Sequence, residues 1–241
     1  MSETVLLFLA AGFAVFAGAL VQGGVGFGLG LVAAPVMTLA DPSVMPGAMQ
    51  VMNATLPLFT LAAEWRGVDW RGFGWALLGR LPGSAVGAFV VVYVSLPVLG
   101  VLVGSMVLIA VALTARAVSV RRTAATVTTA GFVSGVTGTA TGIGGPPVAL
   151  VFQGAEGPRI RATLALYFCV SALLSLAVLG AVDRLPARAL AVGALLVPFL
   201  VAGFLASGPL RRYLDRGRIR IAVLVVASVS AIALIVQSLA G

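Results

Sequence analysis

The sequence predicts an all-α polytopic membrane protein made of two inverted repeats, each a hairpin of broken, short helices followed by three transmembrane helices. Three observations predict this class. Of the 241 residues, 61% are hydrophobic and 9% are charged, whereas a soluble domain carries about 25% charged residues. Apolar runs of helical length follow one another along the chain. Glycine clusters interrupt these runs at corresponding places in the two halves.

The elements can be assigned by length, because a membrane span needs about 20 residues, with a usable range of about 17–25. The runs that are long enough are 46–63, 72–93, 97–115, 162–181, 188–206 and 221–239, and also 4–22, which ends in a glycine cluster. The runs 28–39, 124–138 and 145–153 are too short to span alone. Short segments interrupted by Gly or Pro at matching places in two halves are typical of broken helices at a transport site.

The two halves share motifs at a nearly constant spacing. Gly24-Val25-Gly26 is similar to Gly142-Ile143-Gly144, 118 positions later, and Val68-Asp69 matches Val182-Asp183, 114 positions later. Matches in a common order at a fixed period indicate an internal duplication. We therefore expect repeat 1 of the transmembrane domain over residues 1–119 and repeat 2 over residues 120–241.

Arginine placement predicts the orientation. The chain has no lysine, and eight of its arginines fall in the loops 116–122 and 207–220. Cytoplasmic loops are enriched in basic residues, so both loops are expected on the cytoplasmic side of the membrane. The expected location is a bacterial inner membrane, which the chain crosses several times. Each hairpin then enters and leaves on one side, and both termini are external. The alternative, eight spans in parallel halves, places the loop 207–220 outside and is disfavoured.

The glycine clusters are the first candidates for a substrate site. Glycine allows positive φ and close approach of the backbone to a ligand. A hairpin that turns inside the membrane places a helix N-terminus at depth, where free N–H groups and about +0.5 charge of helix dipole favour an anion. Close packing of helices through small residues is the alternative role. The expected substrate-binding residues here are Gln22, Gly23, Gly24, Val25, Gly26, Thr139, Thr141, Gly142, Ile143 and Gly144.

Arg80 is a further candidate because it lies about 13 Å along the run 72–93, near the bilayer centre. A charge at that depth is costly and indicates a functional site, unless the side chain reaches the interface or pairs structurally. Asn53 and Tyr167 align between the two halves and complete the expected substrate-binding set.

Composition excludes several classes of chemistry. There is no histidine and one cysteine, so a His- or Cys-based metal site is not expected, and no catalytic residue or cofactor is predicted. All seven acidic residues fall at predicted segment ends, which gives no carboxylate proton relay. Binding of nucleic acid is not expected either, because the sequence shows no basic face with interleaved aromatic residues. The expected partners are a small anionic substrate and the lipid bilayer; a homo-oligomer, and coupling to protons or sodium ions, stay open.

A family resemblance rests on two glycine motifs. They are Gly18-Ala19-Leu20-Val21-Gln22-Gly23-Gly24-Val25-Gly26-Phe27-Gly28, followed by Pro35, and the segment from Gly131 to Gly138 that continues to Gly144-Gly145-Pro146-Pro147. The chain resembles, over essentially its whole length, the TauE/SafE family of sulfite exporters, also called the 4-toluenesulfonate uptake permease family. The resemblance implies transport of sulfur oxyanions or organosulfonates.

Taken together, we expect a secondary transporter for a small anion, a sulfite-like sulfur oxyanion or an organosulfonate. It would work by alternating access around a midplane site between the two glycine breaks. The alternative is an anion channel or the membrane subunit of a larger complex, since paired broken helices also occur in channels. An intramembrane enzyme is not expected, because the residues such chemistry needs are missing.

Overall fold

The computed structural model describes residues 3–115, 120–152, 156–214 and 218–240. These residues form eleven α-helices: α1 (Glu3–Val25), α2 (Leu29–Ala40), α3 (Gly47–Glu64), α4 (Trp70–Tyr93), α5 (Leu96–Ala115), α6 (Ala124–Thr141), α7 (Gly145–Phe152), α8 (Gly157–Ala181), α9 (Ala187–Leu195), α10 (Val197–Leu214) and α11 (Arg218–Ala240). Five segments within them are long and apolar enough to cross a membrane. The expected all-α polytopic class is confirmed.

The two glycine breaks are shorter than the sequence predicts. Helix α1 continues through Gly23 and Gly24, so the first break covers only residues 26–28. Gly26 and Gly28 have φ of 96° and 137°, values that side-chain-bearing residues rarely adopt. The second break covers residues 142–144, with Gly142 at φ 79°. Pro146 and Pro147 follow in the first turn of α7, where a missing N–H costs little.

Two other boundaries also differ from the expectation. The run 188–206 is divided at Leu196 into α9 and α10, because Pro198 has no N–H and its ring displaces the carbonyl of Ala194. The expected loop 207–220 is largely helical, since α10 extends to Leu214 and α11 begins at Arg218.

Helices of the two halves pack in exchanged pairs. Helix α4 lies along α6, and α10 lies along α1, while α3 packs on α8 and α5 on α11. The first two contacts bring backbones together: a Cβ on Gly79 of α4 would overlap the carbonyl oxygen of Thr128, and one on Gly203 of α10 would overlap that of Phe16. Small residues allow such close approach of helices in lipid.

Polar contacts define two faces of the bundle. On one face, Arg161 pairs with Glu64 at 2.7 Å, and Asp69 pairs with Arg122. We call this face, formed by residues 64–69, 120–123 and 156–161, the arginine-rich face. Asp41 pairs with Arg188 at 2.8 Å on the other face, which comprises residues 41–46, 92–95 and 182–188 and is called the opposite face.

Both hairpins return to the face from which they start. Helix α6 begins at the arginine-rich face, and the chain is back there at Glu156 after α7. Helix α1 runs parallel to α10, since the Phe8 ring packs on that of Phe199 and Gly23 lies against Ser207. Because α10 leads away from the opposite face, α1 starts there, and α2 ends there at Asp41. The two hairpins therefore enter the bundle from opposite faces.

Candidate functional site

A cavity of about 30 Å³ lies where the two breaks meet. A Cβ on Gly30 would lie 3.3 Å from the carbonyl oxygen of Gly142, and one on Gly145 would lie 3.5 Å from the Cβ of Phe27. The first turns of α2 and α7 are thus neighbours, one from each half. Residues of α1, α3, α4, α6 and α8 complete the wall of this cavity.

The helix ends offer few donors to it. The N–H of Leu29 bonds the Oε1 of Gln22 at 3.1 Å, and those of Leu31 and Val32 bond the carbonyl of Gly28. In α7, two prolines supply no N–H at all. Within the described chain, Gly30 and Gly145 are the residues of these first turns that line the cavity with an N–H that has no partner.

Arg80 of α4 lines the cavity and is 2% exposed. Its Nη1 donates to the carbonyl oxygen of Ser134. Its Nη2 donates to the carbonyl oxygen of Ser171 at 3.1 Å and to the hydroxyl of Ser175 at 2.6 Å. All these acceptors are neutral oxygens of α6 and α8, so a guanidinium of the first half is held by helices of the second.

Two glycines make room for that guanidinium. A Cβ on Gly138 would lie 2.6 Å from the Nη1 of Arg80, and one on Gly144 would lie 3.2 Å from it. Both glycines line the cavity. Glycine at 138 is therefore required for the place that Arg80 occupies.

The positive charge of Arg80 has no counter-ion in the part of the chain that the structure describes. The four ion pairs found there involve Arg122, Arg159, Arg161 and Arg188. The Nε of Arg80 also lacks a hydrogen-bond partner, as does the hydroxyl of Ser171, which lines the cavity and is 4% exposed. Buried polar atoms are normally paired, so the Ser171 hydroxyl is available to a ligand in the cavity.

Three carboxamide side chains line the same cavity. Gln22 caps α2 as described, while two amides of α3 hold the end of α6. The Nε2 of Gln50 donates to the carbonyl oxygen of Gly138 at 2.5 Å, and the Nδ2 of Asn53 donates to that of Gly142 at 3.0 Å. The amides thereby fix the positions of both breaks.

The structure brings together some of the residues expected from sequence. Those that line the cavity are Gln22, Asn53, Arg80, Gly142, Ile143 and Gly144; those that do not are Gly23, Gly24, Gly26, Thr139, Thr141 and Tyr167. The side chain of Val25 falls outside the described part.

The residues away from the cavity have other contacts. A Cβ on Gly23 would overlap the Ser207 hydroxyl of α10, so this glycine serves helix packing. Thr139 bonds the hydroxyl of Ser175 at 2.8 Å, and thus supports Arg80 indirectly. Thr141 donates to the carbonyl of Thr137 at 2.7 Å, and the Tyr167 hydroxyl lies 3.4 Å from the carbonyl of Gly131.

Gln50, Gly138 and Ser171 line the cavity as well, although they were not among the expected substrate-binding residues. Gln50 lies one helical turn before Asn53, which was a usable signal. Gly138 begins the second glycine cluster, which was a further signal. Ser171 carries a weaker one, because a serine in an apolar helix usually bonds its own backbone.

The arginine-rich face carries its own polar cluster outside the cavity. Asp69 accepts a hydrogen bond from the N–H of Gly72 at 3.1 Å, which caps α4, and it pairs with Arg122. The Arg122 guanidinium also lies 4.5 Å from the ring centroid of Phe152. Burial lowers the pKa of Arg122, and the positive charge of Arg159 lowers that pKa further.

Comparison with known proteins adds an independent finding. The sequence model of the family described as Sulfite exporter TauE/SafE matches residues 10–234. No curated protein and no solved structure gives a significant match. Because the family match covers nearly the whole chain, this protein belongs to the TauE/SafE family of sulfite exporters, and it is a multi-pass membrane transporter rather than an enzyme.

Proposed function

We propose that this chain is a secondary transporter that carries a small sulfur oxyanion, sulfite or a close analogue, and that Arg80 binds it in the cavity between the two breaks. The observation that carries this proposal is the buried guanidinium of Arg80, which lines the cavity and is held only by neutral oxygens. A charge buried without a partner is costly. A bound anion would offset that cost.

The other groups around the cavity fit the same ligand. The free hydroxyl of Ser171 can donate to an oxyanion, and so can the N–H groups of Gly30 and Gly145. Helix dipoles at the starts of α2 and α7 favour negative charge at this place. Hydrogen bonds between such donors and an ionised acceptor are about twice as strong as neutral ones.

Size favours a small substrate. A cavity of about 30 Å³ holds about two water molecules, at about 10–15 Å³ for each. Sulfite, with four heavy atoms, exceeds this space by less than any organosulfonate does. An aromatic sulfonate would require the cavity walls to separate.

We further propose that residues 1–119 and 120–241 are inverted repeats that exchange access to the cavity between the two faces. Support comes from the two hairpins, which enter from opposite faces, and from α3 and α8, which cross the bundle in opposite directions. The arginine-rich face is cytoplasmic by the distribution of basic residues. This places both termini outside, in a bacterial inner membrane.

The test is uptake and counterflow of sulfite in proteoliposomes. We expect saturable flux that is accelerated by sulfite on the far side of the membrane, which is the behaviour of a carrier and not of a channel. Arg80→Gln should lower the flux about a hundredfold or more, because truncating one side of a buried charged contact costs several kcal/mol. Arg71→Gln, on the exposed first turn of the same helix, is the matched control and should retain normal flux. Equal flux in the two variants, or no flux of any sulfur oxyanion in the wild type, would refute the proposal.

A further inference from the structure

The three carboxamide side chains present both hydrogen-bond donors and hydrogen-bond acceptors to the cavity. The Oε1 of Gln22 accepts the N–H of Leu29, so its Nε2 remains as a donor. The amide nitrogens of Gln50 and Asn53 are used by backbone carbonyls of α6. A carbonyl can only accept and an N–H can only donate, so these partners fix which atom of each amide is which.

Two acceptors consequently remain without a partner. In the described part of the structure, no hydrogen bond uses the Oε1 of Gln50 or the Oδ1 of Asn53, although both residues line the cavity. Neither oxygen is among the solvent-inaccessible atoms that lack a partner, so both are accessible from the cavity. The wall therefore combines one positive charge, several donors and two neutral acceptors.

A fully deprotonated dianion fits this wall poorly. All its oxygens are acceptors, and those facing the two amide oxygens would gain no hydrogen bond, although their removal from water costs free energy. A dianion also exceeds the single positive charge of Arg80 by one unit. A monoanion that keeps one proton satisfies both demands, because it balances one charge and donates one hydrogen bond.

We propose, on the basis of the function above, that the site selects the protonated monoanion, hydrogen sulfite, over the sulfite dianion. Its negative oxygens face Arg80 and Ser171, and its proton faces the amide oxygens of Gln50 and Asn53. The substrate then carries a proton across the membrane itself. Transport would then be coupled to the proton gradient without a carboxylate relay in the spans.

The pH dependence must come from the ligand if no side chain at the cavity titrates. Among the described residues that line the cavity, Arg80 is the only ionisable one. The helices packed around the cavity carry further ionisable side chains. They are Glu64 on α3, Asp69 just before α4, Arg71 and Tyr93 on α4, Glu156 just before α8, and Arg159, Arg161, Tyr167 and Cys169 on α8; Tyr167 interacts with Arg80. None of these lines the cavity.

The experiment measures binding of sulfite and of methanesulfonate to the purified protein by calorimetry, at constant sodium. Methanesulfonate is a monoanion without an acidic proton. We expect the affinity for total sulfite to fall with rising pH, approaching about tenfold per pH unit once the dianion dominates, because only the protonated form binds. The affinity for methanesulfonate should stay constant across the same pH range. At acidic pH it should be weaker than the affinity for sulfite.

A variant separates the amide acceptors from the rest of the site. Asn53→Leu keeps a similar volume but removes the Oδ1, together with the Nδ2 that donates to the carbonyl oxygen of Gly142. The readout is therefore the ratio of the two affinities, since a displaced break would weaken both anions: sulfite and methanesulfonate should bind with similar affinities at acidic pH. Thr55→Val is the matched control, since Thr55 bonds its own helix at Val51 and does not line the cavity. If Asn53→Leu does not fold, Gln50→Met gives the same readout.

The outcomes separate the two proposals. A sulfite affinity that is constant or rises with pH overturns the selection of the monoanion and leaves an anion transporter. An unchanged preference for sulfite in the amide variants overturns the role of the amide oxygens. Absence of binding by either anion at every pH overturns the proposed function as well.

Discussion

The Nη2 of Arg80 lies 2.6 Å from the hydroxyl oxygen of Ser175, which in turn lies 2.8 Å from the hydroxyl of Thr139. Arg80 belongs to α4, whereas the two hydroxyl residues belong to α8 and α6. Three helices, one from the first half of the sequence and two from the second, thus meet at one guanidinium. Because every partner is neutral, the positive charge stays available to a ligand.

A negative charge placed at this contact should remove that availability. We predict that Ser175→Asp lowers the affinity for sulfite about a hundredfold, because a carboxylate next to Arg80 compensates its charge and repels the anion. Ser175→Asn has the same shape without the charge and should lose about tenfold at most. Calorimetric binding of sulfite to the two variants, each checked for a cooperative thermal transition, measures the difference. Similar losses in both variants would show that volume, not charge, matters at this position.

The glycine next to the guanidinium gives a second prediction. Gly138→Ala should displace Arg80, since the new Cβ would lie 2.6 Å from its Nη1, and sulfite binding should weaken by at least about tenfold. Gly74→Ala is the matched control on α4, because a Cβ there meets nothing within 4 Å. The measurement is the affinity for sulfite and the thermal midpoint of each variant. Normal affinity in Gly138→Ala would contradict the close fit around Arg80.

The sequence predicted which segments break, but not where each break begins. Gly23 and Gly26 are three residues apart in one cluster, yet the first is helical and packs on Ser207, while the second has φ 96°. Both roles require glycine. Composition alone could not separate them, because the distinction depends on α10, which lies some 180 positions later.

Arg80 illustrates the same limit in the site. Its position near the centre of an apolar run was readable from the sequence, because a helix has a fixed rise per residue. Its partners were not readable: Ser134, Ser171 and Ser175 lie 54, 91 and 95 positions away. Serines in membrane helices usually bond their own backbone, so Ser171 and Ser175 were only weak candidates and Ser134 was none. The charge was predictable and the pocket that holds it was not.

The ion pair between Glu64 and Arg161 supports a prediction about stability. Both side chains are mostly buried, at 17% and 18% exposure, and the guanidinium contacts both carboxylate oxygens. A double-mutant cycle with Glu64→Gln and Arg161→Gln should give a coupling of about 1–2 kcal/mol, measured by thermal or denaturant unfolding in detergent. The pair of Asp41 with Arg188 is more exposed, at 29% and 71%, and its cycle should give at most about 0.5 kcal/mol. Equal couplings for the two pairs would contradict the argument from burial.

The predicted orientation can be tested because the chain has a single cysteine. Cys169 is buried, and Cys169→Ser provides a background without thiols. Into it, Arg66→Cys and Arg121→Cys place a thiol at the arginine-rich face, while Ser43→Cys and Arg184→Cys place one at the opposite face. Because basic residues are retained in the cytoplasm, a maleimide that cannot cross membranes should label only the latter two in intact cells.

Permeabilised cells supply the control, since all four thiols should then react at similar rates. The four positions also test the inverted arrangement, because eight spans in parallel halves would put residue 184 on the same side as residues 66 and 121, and only residue 43 on the other side. Labelling of Arg66→Cys or Arg121→Cys in intact cells would place the arginine-rich face outside. The direction from which each hairpin enters would then be reversed, although the contacts between the hairpins would stand.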